Sequence, residues 1–262
     1  MDNNDRTRSA SSAPGSILIT GAGGGIGSAT ASRLSDDGYR IVAIDRYLEP
    51  ATKTIDGLSG SGHTAAEVDV CAEDEVEALV ARLTAAGHRF SGVVNCAGTL
   101  TRSPAETFTV DAWRRELDVH LTGAMIICRA VFTHLVRAEG LGSIVNIASV
   151  GSTFGLPGRL AYATAKSGIM GMTRTLASEW GRRGIRVNAV APGYVATEMV
   201  KSGLRTGSLS EATLTSRTPL GRLASPDEIA SSISFLLSRD ASFVNGAMLR
   251  VDGGLTIDGN FE

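Results

Sequence analysis

The chain has 262 residues, 43% apolar and 20% charged, with a net charge of -2, enough for one large α/β domain with a buried core. That balance lacks the basic excess that nucleic acid or an anionic membrane surface would demand, and no apolar run reaches the ~18 residues of a membrane span. Cys71, Cys96 and Cys128 show neither metal-ligand nor disulfide spacing, so no metal site and a reducing, cytoplasmic setting are expected.

Residues 1–14 are polar and read as a disordered lead-in without a signal-peptide core. Residues 15–262 read as one domain. The first strand is Ser16-Ile17-Leu18-Ile19-Thr20, an apolar run that suits burial on both faces. Gly21-Ala22-Gly23-Gly24-Gly25-Ile26-Gly27 follows, then a helical pattern through Ser28, Ala31 and Leu34. Strand, glycine loop and helix form the first half of a dinucleotide-binding unit, in which backbone approaches a pyrophosphate at a helix N-terminus.

The second strand, Arg40 to Asp45, ends on a carboxylate at the offset of a ribose reader. Asp45 accepting from ribose hydroxyls would contribute about 1.5–3 kcal/mol. Facing a 2′-phosphate it would cost about 4 kcal/mol at moderate dielectric. NAD is therefore expected over NADP, although Arg46 next to it would attract a phosphate.

A third strand, about Ala65 to Val68, ends at Asp69-Val70, before a helix from about Ala72 to Ala86. The fourth, Gly92 to Asn95, breaks at Cys96-Ala97-Gly98, small residues that leave room for a cofactor across the strand ends. A helix from about Thr109 to Arg137 is apolar on more than one face, which predicts burial in the domain or against another subunit. Ser143 to Ala148 forms the fifth strand and delivers Ser149 to its end.

The next helix, running to about Arg182, carries Tyr162-Ala163-Thr164-Ala165-Lys166. Its tyrosine and lysine lie one turn apart on the same face. A phenol with a pKa near ~10 needs its anion stabilised by roughly 4 kcal/mol to exchange protons near neutrality. An ammonium about 4 Å away supplies about that much. The sixth strand, Ile185 to Ala191, stops at Pro192-Gly193. Tyr194 to Ala224 shows no clear period and reads as a lid or binding loop. Pro226-Asp227-Glu228 opens another helix, and Ala247 to Val251 is the last strand. The alternation gives a doubly wound parallel sheet of about seven strands with helices on both faces.

With Thr20-Gly21-(three residues)-Gly25-Ile26-Gly27, Asn95-Cys96-Ala97-Gly98, Ser149, Tyr162-(three residues)-Lys166 and Pro192-Gly193 in order, the chain from Ser16 to Leu255 resembles the short-chain dehydrogenase/reductase family. The resemblance implies a Rossmann-type fold and a homotetramer. It also implies a secondary alcohol or ketone held by Ser149, proton exchange at Tyr162, and Lys166 binding the nicotinamide ribose and keeping the tyrosine acidic. Thr197, in Pro192-Gly193-Tyr194-Val195-Ala196-Thr197, matches the threonine at the carboxamide. Asp69 and Val70 match the pair beside adenine, while Asn95 and Ala97 flank the cofactor.

One departure stands out. His120-Leu121-Thr122-Gly123 replaces the family's Asn-Leu-x-Gly, so His120 is expected either to take over the asparagine's water-holding relay and add a titration near pH 6–7, or to be a spacer tolerated in a buried helix. Two further readings are weighed. A 3-oxoacyl-carrier-protein reductase would favour NADP and present arginines; Arg183 stands at one such place, but Gly140 stands at the other. A non-catalytic NAD sensor would be expected to lose the tyrosine or lysine, and both are present. The substrate pocket is expected among Thr99, Leu100, Val150, Gly151, Ser152 and Tyr194. Arg159, Lys201 and Arg205 are available to meet a carboxylate.

Overall fold

The computed structural model describes residues 15–138 and 142–258; the predicted lead-in and Gly140 lie outside them. Seven strands form one parallel sheet in the order β3-β2-β1-β4-β5-β6-β7. They are β1 (Ser16–Thr20), β2 (Arg40–Asp45), β3 (Thr64–Glu67), β4 (Phe90–Asn95), β5 (Gly142–Ile147), β6 (Ile185–Pro192) and β7 (Met248–Val251). The strand order reverses between β1 and β4, and in open parallel sheets ligands bind at the carboxyl ends beside such a reversal.

Successive residues of a strand face opposite sides, and each side needs a cover. Ile17, Ile19, Ile41 and Ala43 pack with Val94 and Val145 under α1 (Gly25–Asp36) and α9 (Pro226–Leu237). Leu18, Val42, Val93 and Ile144 face α3 (Glu73–Ala85) and α5 (Gly123–Val136) on the other side. The N-terminus of α9 is fixed by a capping box between Ser225 and Glu228.

The helical stretch Val110–Val136 is long and apolar enough to cross a bilayer by length and composition. Its residues Ile126, Ile127, Val131 and Leu135 are nevertheless core residues of the sheet's second face. The predicted single helix is also interrupted. α4 (Val110–Leu117) passes through a π-helical turn, Asp118–Thr122, before α5 begins. Such turns cluster at functional sites, and His120 lies at the centre of this one.

Two predictions need correction. α2 (Leu48–Asp56) was not foreseen; its Pro50 suggests a turn but sits in the first helical turn, where a missing N–H is tolerated. The expected loop from Tyr194 to Ala224 contains α7 (Glu198–Arg205) and α8 (Glu211–Ser216). Both are short, and Ser210 accepts from the Thr213 N–H to cap the second.

Candidate active site

The glycine loop fits a dinucleotide. Gly21 has φ +62°, and a side chain there would meet the Ala97 backbone at 2.9 Å. A Cβ on Gly27 would collide with the Gly21 carbonyl oxygen. α1 has no side-chain cap and no acidic residue in its first turn, so its first N–H groups are open to a pyrophosphate. Space beside Gly24 is open, and Thr197 faces Gly25, 3.3 Å from where a Cβ would stand. Ile26 packs beneath the loop, against the core.

Asp45 is already tied to that loop, since its Oδ2 accepts from the Gly23 N–H at 2.9 Å. Arg46 is largely exposed and lies 3.9 Å from the Asp69 carboxylate, so part of its charge is met within the protein. Asp69 Oδ1 also accepts from the Cys71 N–H at 3.0 Å, which fixes the turn after Val68. Val70 packs against Gly123. At the end of β4, Thr20 Oγ1 accepts from the Ala97 N–H at 2.9 Å, and Gly98 lies against the His120 ring. Asn95 donates to Asn146 Oδ1 at 2.8 Å, and Asn146 to Thr173 Oγ1 at 3.0 Å. Gly193 packs on Asp252, Pro192 ends β6, and Val195 is buried.

The structure brings Ser149, Tyr162, Lys166 and His120 together. The Ser149 side chain accepts from the Gly151 N–H at 3.0 Å, which leaves its proton to donate. It also lies close enough to the Tyr162 phenol to lower that group's pKa. α6 (Leu160–Trp180) carries Tyr162 and Lys166 on one face. The Lys166 ammonium donates to the Ile147 carbonyl at 2.6 Å and lies 5.6 Å from the centroid of the Tyr162 ring. His120 packs edge-on against that ring, with centroids 5.5 Å apart.

The electrostatics differ from the sequence-based expectation. Burial raises the Tyr162 pKa and outweighs the lowering by Ser149 and the Arg159 charge, while Glu116 raises it further. Burial brings Lys166 itself down to about 8, with Cys96 acting the other way. Without cofactor, burial therefore wins and the phenol holds its proton.

His120 needs a second correction. Burial and the Lys166 charge push it down to about 3, against the Thr99 backbone bond that raises it. It stays neutral through pH 6–7 and does not titrate there. Its Nε2 lies 2.8 Å from the Thr99 carbonyl and 3.2 Å from the Thr99 N–H; assigning the proton to Nε2 on the shorter contact leaves Nδ1 as an acceptor without a partner among the described residues.

A stability prediction follows with its sign. Unfolded, His120 takes a proton near pH ~6.5; folded, it resists until about 3. Its contribution is intact above ~6.5 and is lost as pH falls toward 3, by about 1.4 kcal/mol per unit. Denaturant titrations of His120→Asn between pH 7 and 4 should show a slope shallower by about that amount.

Other predicted pocket residues take positioning roles. Ser152 donates to the Lys166 carbonyl at 2.7 Å, and Gly151 is buried against Leu156. Tyr194 lines a cavity of about 490 Å³ with Thr218, Arg222 and Asp252, to which Ser149, Tyr162 and Lys166 contribute nothing. Sequence reasoning missed Glu116, a buried carboxylate that accepts from the Thr101 N–H and whose Oε2 has no partner among the described residues. It also missed Arg102. A carboxylate one turn before His120 was the one signal available.

A family model described as enoyl-(acyl carrier protein) reductase matches residues 21–256. The chain is 39% identical over 245 residues to D-threitol dehydrogenase of Mycolicibacterium smegmatis, covering 92% of each. The chain belongs to the short-chain dehydrogenase/reductase family. This short-chain dehydrogenase/reductase is also 41% identical over 242 residues to cis-4-hydroxycyclohexanecarboxylate dehydrogenase of Sinomonas cyclohexanicum, covering 91% of this chain and 95% of that one. Among solved structures it resembles a putative NAD(P)-dependent gluconate 5-dehydrogenase from Beutenbergia cavernae with NADP bound at low occupancy. That match has a TM-score of 0.85 at 38% identity, over 95% of this chain and 99% of the other. The family chemistry is oxidoreduction at CH–OH and carbonyl groups.

Proposed function

We propose that this short-chain dehydrogenase/reductase interconverts a secondary alcohol and a ketone with NAD as its preferred cofactor. The observation that carries the reading is the convergence of Ser149, Tyr162 and Lys166 at the carboxyl edge of the sheet, with Ser149 beside the phenol and the Lys166 ammonium 5.6 Å from the centroid of its ring. Gly21 to Gly27, Asp45, Asp69, Val70, Asn95, Ala97 and Thr197 would hold the cofactor. A nicotinamide cofactor held by these residues would supply the hydride acceptor and, in its oxidised form, a positive charge in the site.

The rest belongs to the chain. Ser149 donates to the substrate oxygen, and Tyr162 holds or receives the proton at its hydroxyl. Lys166, anchored on Ile147, offers its remaining N–H groups to a ribose. Asn95 Oδ1 and His120 Nδ1 lack partners among the described residues, and both residues line a cavity of about 10 Å³ with Lys166. That is about the room one water needs. In this proposal neutral His120 fixes a water that passes protons onward from Lys166. His120→Asn should preserve turnover and leave the acidic limb of its pH profile unmoved, because the imidazole does not titrate there. His120→Leu should lower kcat about 10²-fold, and equal rates for the two variants would remove the relay.

Two observations weigh against a carrier-protein reductase. Arg183 is stacked on Phe132 at 5.3 Å, and Asp45 opposes NADP. A sensor reading has no support in a site that keeps its phenol and ammonium. Partly exposed Met125 on α5, with Phe235 on α9 and fully exposed Phe243, supports assembly into a homotetramer, which sedimentation at micromolar concentration would test. Following NAD and NADP reduction at 340 nm, with a panel of secondary alcohols, tests the activity. Silence with every alcohol would remove it.

A further inference from the structure

Two arginines near the first turn of α6 take no part in the proton chemistry. Arg102 follows β4, and Arg159 is the N-cap of α6. A parallel bridge pairs Ser103 with Arg159, and the Ser103 N–H donates to the Gly158 carbonyl at 3.1 Å. The two loops are thereby fastened together, with both arginines at the junction. Arg159 stands three residues before Tyr162, on the same face of the helix, and its charge reaches the phenol.

Neither arginine has an ion-pair partner among the described residues. Burial and the Arg159 charge both lower the Arg102 pKa, so the two like charges feel one another with no carboxylate between them. A side chain at Gly203, on α7, would come within 3.3 Å of the Arg102 guanidinium, which places a helix of the 194–224 segment over that group. The neighbouring cations are otherwise engaged: Arg205 pairs with Glu198, Lys201 also acts on Glu198, and Arg217 lies over Phe154 at 5.9 Å. Glu116 is the nearby anion, but it is 1% exposed and turned to the Thr101 N–H.

Two arginines carried on bridged backbone segments, without an ion-pair partner among the described residues, offer guanidinium forks that suit the two-oxygen geometry of an oxyanion. We propose that Arg102 and Arg159 form an oxyanion subsite, so that the alcohol turned over at Tyr162 also carries a carboxylate or phosphate group. The substrate class rests on the oxidoreductase reading above; the subsite itself does not.

Two measurements keep those claims apart. The first is thermal unfolding with NAD present, at constant ionic strength, with succinate, inorganic phosphate or neutral butane-1,4-diol added. The wild type should be stabilised by at least one of the anions and not by the diol, and Arg102→Gln/Arg159→Gln should lose that difference. Equal shifts with all three probes, or anion shifts unchanged in the double variant, would overturn the subsite.

The second measurement compares kcat/KM for hydroxy acids, for their phosphate-bearing counterparts and for neutral alcohols of the same skeleton. The charged-to-neutral ratio should exceed about tenfold and fall at least tenfold in the double variant, mainly through KM. A ratio the double variant does not change would overturn the substrate class. An anion-dependent shift without turnover of any alcohol would leave the subsite standing and remove the oxidoreductase reading. Turnover without any anion preference would do the reverse.

Discussion

Tyr162→Phe is expected to lower kcat by about 10²–10⁴-fold while leaving the dissociation constant for NAD within about threefold. The variant ring keeps its edge-on packing against His120 and loses only the hydroxyl beside Ser149. Because burial raises the phenol in the cofactor-free protein, the proton-accepting form is scarce at neutral pH. Alcohol oxidation should therefore climb with pH, close to tenfold per unit below the working pKa, and ketone reduction should fall over the same range. Full oxidation rates in the phenylalanine variant would end the proposed mechanism.

Asp45→Ser should invert or flatten the cofactor preference. Losing a charge-assisted acceptor for ribose hydroxyls costs NAD about 1.5–3 kcal/mol, or roughly 10- to 150-fold in kcat/KM. Removing the carboxylate also relieves NADP of a repulsion of about 4 kcal/mol. The NAD/NADP ratio should thus move by about 10³-fold or more. Arg46, exposed and only 3.9 Å from Asp69, is free to turn toward the 2′-phosphate in that variant. An unchanged ratio would mean that Asp45 serves the Gly23 N–H alone.

The sheet was legible because most strands are short apolar runs ended by glycine, asparagine or aspartate, and central parallel strands bury both faces. Boundaries moved by a residue or two: Thr64–Glu67 in place of Ala65 to Val68, and Phe90 in place of Gly92. What stayed hidden depends on local geometry that periodicity does not encode. Leu48–Asp56 is a nine-residue helix with proline in its first turn, and α7 and α8 are too short for a recognisable stripe. The order and spacing of Ser149, Tyr162 and Lys166 carried the centre of the site. The electrostatics did not follow from spacing. A lysine four residues on was expected to acidify the phenol, yet its ammonium sits over the ring and bonds Ile147, so desolvation wins. Arg102 and Glu116 were invisible for another reason: Arg102 is placed by its neighbour Ser103, which bridges to Arg159 far along the chain, and Glu116 by the Thr101 N–H 15 positions away.

The Ser103–Arg159 bridge has a dynamic consequence. It splices the strand-end segment that bears Arg102 to the first turn of the helix that bears Tyr162. Thermal excursions of either segment are transmitted to the other, so the grip on one end of a substrate and the aim at its other end drift in unison. A misalignment of about 1 Å can cost 10²-fold in rate, and a shared mounting holds that separation constant.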